Sequence, residues 1–129
     1  SVIIYYMVIY LLVTKKINKN NSNLTNSLVD ILLIQNIKNI KIYKPKLDIY
    51  SDYVIISTAT SSTQMNSALT KTIKHFKSLG LKVLSEGINS SWILLQSNGV
   101  SLHIFTEEAR DYYLIEDLYF DSNLVNQYG

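Results

Sequence analysis

The chain contains no cysteine, one proline and four glycines among 129 residues. Without thiols it can build neither a disulfide scaffold nor a thiolate metal site. Few prolines and glycines, with 47% hydrophobic and 17% charged residues, argue against a disordered chain and for one domain with a single small core. No hydrophobic run is long enough to cross a bilayer. The apolar start, SVIIYYMVIYLLV, is thirteen residues, against about 20 for a spanning helix. Lys15 and Lys16 follow this run instead of preceding it, the wrong order for a signal peptide. No membrane association is expected.

Charge is present but unevenly placed. Residues 1–82 hold eleven lysines against Asp30, Asp48 and Asp52, a balance of +8. Residues 83–129 hold Arg110 against seven carboxylates, a balance of −6. Such asymmetry speaks to partners and not to fold, and an acidic half suits a basic protein. Two ordinary solvated surfaces are the plainer alternative. Lys, Asn, Ile and Tyr all have AT-rich codons, so their abundance is not itself a functional signal.

Residues 1–23 read as an extension, partly disordered around Asn18 to Asn23, with Met7 as an alternative start. From Asn23 to Asn36, Leu24, Leu28, Ile31 and Leu32 recur at helical spacing. Ile40 to Tyr43 reads as a strand ended by Pro45. Asp52 to Thr58, DYVIIST, suits a central strand covered on both faces. Ser61 and Gln64 form a capping box ahead of a helix whose apolar stripe runs from Met65 through Phe76 to Leu79. Lys71, Lys74 and Lys77 lie mostly off that stripe, and Gly80 supplies the C-terminal cap. Val83–Leu84 is a short strand. Trp92 to Gln96 and Val100 to Phe105 form a hairpin across Ser97-Asn98-Gly99. Thr106 can cap a short helix with Glu107 and Glu108 in its first turn, and Leu114 to Phe120 packs back onto the body. These elements predict one α/β domain, a mixed five-stranded sheet flanked by helices, over residues 24–125, with 126–129 as a tail.

The common catalytic templates are missing: no G-x-x-x-x-G-K, no G-x-G-x-x-G and no G-x-S-x-G occurs. His75 and His103 sit on different elements without a third ligand pattern, which gives a metal site little support. The pairs Glu107–Glu108 and Glu116–Asp117 are sequence neighbours, whose side chains diverge on either a helix or a strand. Cap and surface roles explain them better. The hydroxyl-rich turn of Ser57, Thr58, Thr60 and Ser61 is similar to that of nucleotidyltransferases, but those enzymes need D-x-D to hold magnesium against triphosphate, and D-x-D occurs nowhere in this chain. The lysines are scattered without interleaved stacking aromatics, so no direct, specific nucleic-acid binding is expected. No cofactor, metal or catalytic residue is assigned.

Five segments in register resemble the ribosomal silencing factor (Iojap) family. DYVIISTATSSTQ resembles that family's D-Y-F-V-I-x-S-G-T-S-x-R-Q, and Ser85-Glu86-Gly87 its V-E-G turn. Trp92 to Leu95 resembles W-x-L-L/V, and Leu102 to Phe105 resembles V-H-I-F. Glu108, Arg110, Tyr112, Tyr113, Leu114, Glu116 and Leu118 resemble E-x-R-x-F/Y-Y-x-L-E-x-L. The agreement runs from about Leu24 to Leu124. The family's D-x-G-D hairpin has Gln96 and Gly99 in place of its two acids, its G-T-S loop has become Ala59-Thr60-Ser61, and its terminal Trp is Tyr119.

The resemblance implies a nucleotidyltransferase-like shape without the catalytic carboxylates. It implies a translational repressor that binds the large ribosomal subunit through its ribosomal protein number fourteen and blocks joining of the small subunit when nutrients are short. It allows self-association into a homodimer. The compartment would be the bacterial cytoplasm, or an organelle matrix. Trp92 is the first choice for a partner-binding anchor, because one Trp supplies a large desolvated area. From its residues alone, core packing is an equally good reading, and the resemblance favours the interface. Ile93 and Leu95 on the opposite strand face, His103, Tyr112 and Tyr113 complete the expected partner-binding set. For Phe105, core packing is the better reading. Arg110 is expected to pair with Glu107 or Glu116. Two other classes stay open: a nucleotidyltransferase-like enzyme, and a self-associating adaptor with no ribosomal role.

Overall fold

The computed structural model describes residues 2–6, 21–46, 51–119 and 122–129. The alternative start at Met7, and the stretch expected to be disordered around Asn18 to Asn20, lie outside them.

Helix α1 covers Asn21–Ile34, so Asn21 to Asn23 are helical and not part of a disordered extension. Leu24, Leu28 and Leu32 recur every fourth residue and, with Val29, form its buried stripe. The side chain of Asn21 ties the helix start down: its amide donates to Asp52 and to the carbonyl of Asn98 at 2.7 Å. Strands β1 (Lys38–Lys44) and β2 (Tyr53–Ala59) follow. Helix α2 spans Ser62–Ser78. Its N-cap Ser61 accepts from the Gln64 amide at 3.1 Å, as the capping box requires. The return contact is displaced by one residue. The Gln64 side-chain oxygen accepts from the Thr60 N–H at 2.7 Å, and its amide nitrogen donates to the Asn36 carbonyl at 3.0 Å, tying the turn after α1 to the start of α2.

After α2 come β3 (Leu84–Glu86), β4 (Trp92–Ser97), β5 (Val100–Thr106), α3 (Glu107–Tyr113), a 3-10 helix (Ile115–Tyr119) and β6 (Asn123–Tyr128). Gly80 has φ +72°, and a Cβ there would meet nothing within 4 Å. Backbone conformation alone therefore selects glycine. Gly80→Ala should cost about 1–2 kcal/mol through left-handed strain, read as a modest fall in denaturant midpoint without a change in slope.

The sheet is mixed and six-stranded, in the order β3-β4-β5-β2-β1-β6. Only β2 and β5 run parallel; the other neighbours are antiparallel. The fold class read from the sequence holds, with one strand more than the five expected. The sixth, β6, takes in residues expected as a tail and pairs from Asn123 to Tyr128 along β1. Its sequence, NLVNQY, has no two-residue alternation to announce a strand, and five of its six residues are exposed. Backbone pairing to β1, not side-chain burial, holds it.

The sheet has two covered faces. Ile42, Ile55, Ile93, Leu95, Leu102 and Ile104 point to one, under α1 and α2. Tyr43, Val54, Ile56, Trp92, Leu94 and Phe105 point to the other, where Ala109 of α3 and Ile115 and Tyr119 of the 3-10 helix close over them. The two-residue period of each strand makes this division. β2 and β5 are central and almost wholly buried, which explains their continuous apolar character.

Candidate partner-binding surface

Trp92 opens β4 on the α3 side of the sheet. Gly87 lets the preceding turn approach it, since a Cβ there would collide with the Trp92 carbonyl. The indole stacks on Phe105, with centroids 4.7 Å apart, and leans on Tyr113 at 5.0 Å. Only 3% of Trp92 is exposed. The sequence reading offered anchor and core as alternatives; in this chain the indole packs as core. Its Nε1–H donates to His103 Nδ1 at 3.0 Å. That bond makes Nδ1 the acceptor, so the ring proton of the neutral imidazole sits on Nε2. Nε2 is buried and has no hydrogen-bond partner among the described residues. Burial, assisted by the charge of Arg110, pushes the His103 pKa down to about 3.

Ile93 and Leu95 do point away from Trp92, as strand alternation requires. They are fully buried against the α1 and α2 side, and no surface of theirs is available to a partner in this conformation. Gln96, one of the two positions where the family pattern has an acid, is buried, and neither amide atom is hydrogen-bonded among the described residues.

The expected residues that reach the surface are Tyr112 and Tyr113. Tyr112 is 79% exposed and stands edge-on to the half-buried Tyr113, with centroids 5.0 Å apart. Leu114 follows with φ +50° and ψ 42°, and is 57% exposed. A left-handed C-cap is normally glycine or asparagine. Here the chain holds a leucine in that strained region and turns it to solvent, an arrangement that clusters at functional sites. Leu118, on the next turn, is also exposed. Exposed Glu107, Glu108, Asp111 and Asp117 belong to the same α3 and 3-10 layer. The lysines Lys71, Lys74 and Lys77 are exposed on α2, across the sheet. The exposed carboxylates of residues 107–117 thus gather on the α3 side, where Lys41 and Arg110 also reach Glu116. Leu114 and Leu118 were not among the expected site residues. Nothing in the sequence marks a left-handed leucine.

Arg110 pins this layer to the sheet. It is 5% exposed; its Nε donates to Glu116 at 2.8 Å, and Nη1 donates to the Asn39 carbonyl at 2.7 Å and to Thr58 Oγ1 at 2.8 Å. Of the two pairings expected, the one with Glu116 forms. Glu116 also accepts from Lys41 at 2.9 Å. Burial pushes the Glu116 carboxyl up, but hydrogen bonds from Arg110 and Lys41 outweigh it and hold the group below the usual carboxylate range. His75 is half-buried and shares a hydrogen bond with Ser27 at 2.8 Å.

A cleft of about 480 Å³ lies at the carboxyl ends of β2 and β5, lined by Thr60, Ser61, Ser90, Ser91 and Glu107, among others. Among the described residues, no group of three or more His, Asp or Glu side chains stands close enough to hold a metal ion. Also among them, no helix is long and apolar enough to cross a membrane.

Residues 17–128 match the family described as "Ribosomal silencing factor during starvation". Two solved structures share the fold. A crystal structure of a protein from Chromobacterium violaceum is 24% identical, covers 78% of this chain and 87% of its own length, and superposes with a TM-score of 0.72. One from Bacillus halodurans is 22% identical, covers 82% of this chain and 99% of its own length, with a TM-score of 0.71.

Proposed function

Because the chain belongs to the ribosomal silencing factor family, we propose that it is a non-catalytic translational repressor of the bacterial cytoplasm. It binds the large ribosomal subunit through ribosomal protein number fourteen, and its bulk keeps the small subunit from joining when nutrients are short. The observation that carries the reading is the cluster of exposed Tyr112, Leu114 and Leu118 among the carboxylates of α3 and the 3-10 helix. Apolar side chains give a protein interface its desolvated centre, and surrounding carboxylates suit a basic ribosomal protein. Tyr113 supports Tyr112 from one side and Trp92 from the other. Trp92 and His103 act beneath the surface as positioning residues, and Ile93 and Leu95 hold β4 against the helices behind it.

Co-sedimentation with purified subunits tests the proposal. The protein is expected to pellet with free large subunits and not with small ones. Equal partition onto both, or onto neither, overturns it. Tyr112→Ala combined with Leu114→Gly should weaken large-subunit binding by at least about 2 kcal/mol, roughly thirty-fold. Both side chains are exposed, and Gly relieves the left-handed backbone at 114. The melting temperature should therefore stay the same or rise slightly. Full-strength binding by this double variant would remove these side chains from the interface.

A further inference from the structure

Residues 2–6 are helical and lie on the α3 side of the sheet, where Ile4 packs against the cluster that contains Trp92, Leu94 and Tyr113. Val2, Ile3, Tyr5 and Tyr6 are all apolar or aromatic, yet they remain 40–69% exposed. The fit is loose. A cavity of about 90 Å³ remains between Ile3 and Tyr6 on one side and Gly87, Trp92 and Leu94 on the other. The segment therefore meets the sheet across an incompletely filled gap. It also lies outside residues 17–128, the part that matches the family.

We propose that residues 2–6 are a displaceable strap. In the free protein they cover the Trp92–Leu94 end of the sheet, and they compete with the ribosomal partner for that face. Two features support competition over permanent packing. The strap leaves most of its own apolar surface in water, so a partner that buries more of the same face outbids it. The strap also meets Trp92, the residue that carries Tyr113 and, through it, the exposed Tyr112. The competition rests on the proposed function; the strap itself does not.

The chain's single tryptophan makes both parts testable. Ile3→Asp with Ile4→Asp, in the full chain, places charges where the strap meets the sheet. Trp92 emission should shift to the red and acrylamide quenching should rise, while the melting temperature stays close to that of the parent. A chain beginning at Met7 should behave in the same way. Val2→Asp with Tyr5→Asp, on exposed positions, should leave the fluorescence unchanged. Large-subunit binding should tighten for the strap variants by the reciprocal of the fraction already open, about ten-fold if roughly one molecule in ten is open. Unchanged quenching in both strap variants overturns the strap. Raised quenching with unchanged or weaker subunit binding overturns the competition. If no chain, the parent included, binds the large subunit, the proposed function fails and the strap is decided by quenching alone.

Discussion

Trp92→Ala is expected to remove about 3–5 kcal/mol of stability, the usual cost of truncating a large core aromatic. Single small domains have a total of only about 5–15 kcal/mol, so the variant should lose a large share of its stability. The reasons are local. The indole fills the space between Phe105 at 4.7 Å and Tyr113 at 5.0 Å, and no neighbouring backbone can collapse into it without breaking the β4–β5 ladder. Truncation also strips His103 Nδ1 of the indole donor in a site where, among the described residues, Nε2 already lacks a partner, and an orphaned buried group costs about 1–3 kcal/mol. Trp92→Phe keeps most of the ring and loses the hydrogen bond, so it should recover more than half of the loss. Equilibrium denaturation of the three proteins reads the difference. Parent-like stability for Trp92→Ala would show that the indole is not part of the core.

The sequence is most informative where a local pattern and the tertiary environment agree. Leu24, Leu28 and Leu32 have helical spacing and lie on the buried side of a helix. The apolar run at Val54 to Thr58 is a central strand because both of its faces are covered. Asn98-Gly99 makes the hairpin turn, with positive φ at both residues. It is least informative where long-range geometry decides. β6 has no pattern of its own and exists because β1 offers an edge. The helix start at Asn21 is fixed by Asp52 and Asn98, distant in sequence. For the candidate site, the W-x-L-L and Y-Y-x-L segments identified the right neighbourhood. They could not say which aromatic faces solvent. Trp92 turns inward because the strap, Tyr113 and Phe105 all meet over it. Tyr112, its near neighbour in space, turns outward because α3 presents successive residues about 100° apart. The exposure of Leu114 depends on a left-handed backbone that no periodicity reveals.

Acid should destabilise the protein in two separable stages, and His103 accounts for the first. Burial and the Arg110 charge lower its pKa to about 3, against an ordinary value of 6.5. Between those values the unfolded chain binds a proton that the folded chain refuses. Stability therefore rises with pH through this window and is lost as pH falls below 6.5, at up to about 1.4 kcal/mol per unit. Glu116 contributes only lower down. Its folded pKa lies below its ordinary value of 4.5, so its stabilising contribution is full above that value and declines as pH falls through the folded pKa. His103→Gln retains an acceptor for the Trp92 indole and removes the titrating ring. Its denaturant midpoint should vary far less than that of the parent between pH 6.5 and 4.5, a fall of roughly 2–3 kcal/mol in the parent being nearly abolished. Glu116→Gln should retain the parent slope in that range and flatten only the region below it. Parent and His103→Gln curves that run parallel from pH 6.5 to 4.5 would mean that the folded protein protonates His103 as readily as the unfolded chain does. The hydrogen bond from Trp92 to Nδ1 could not survive that protonation, because both ring nitrogens would then be donors.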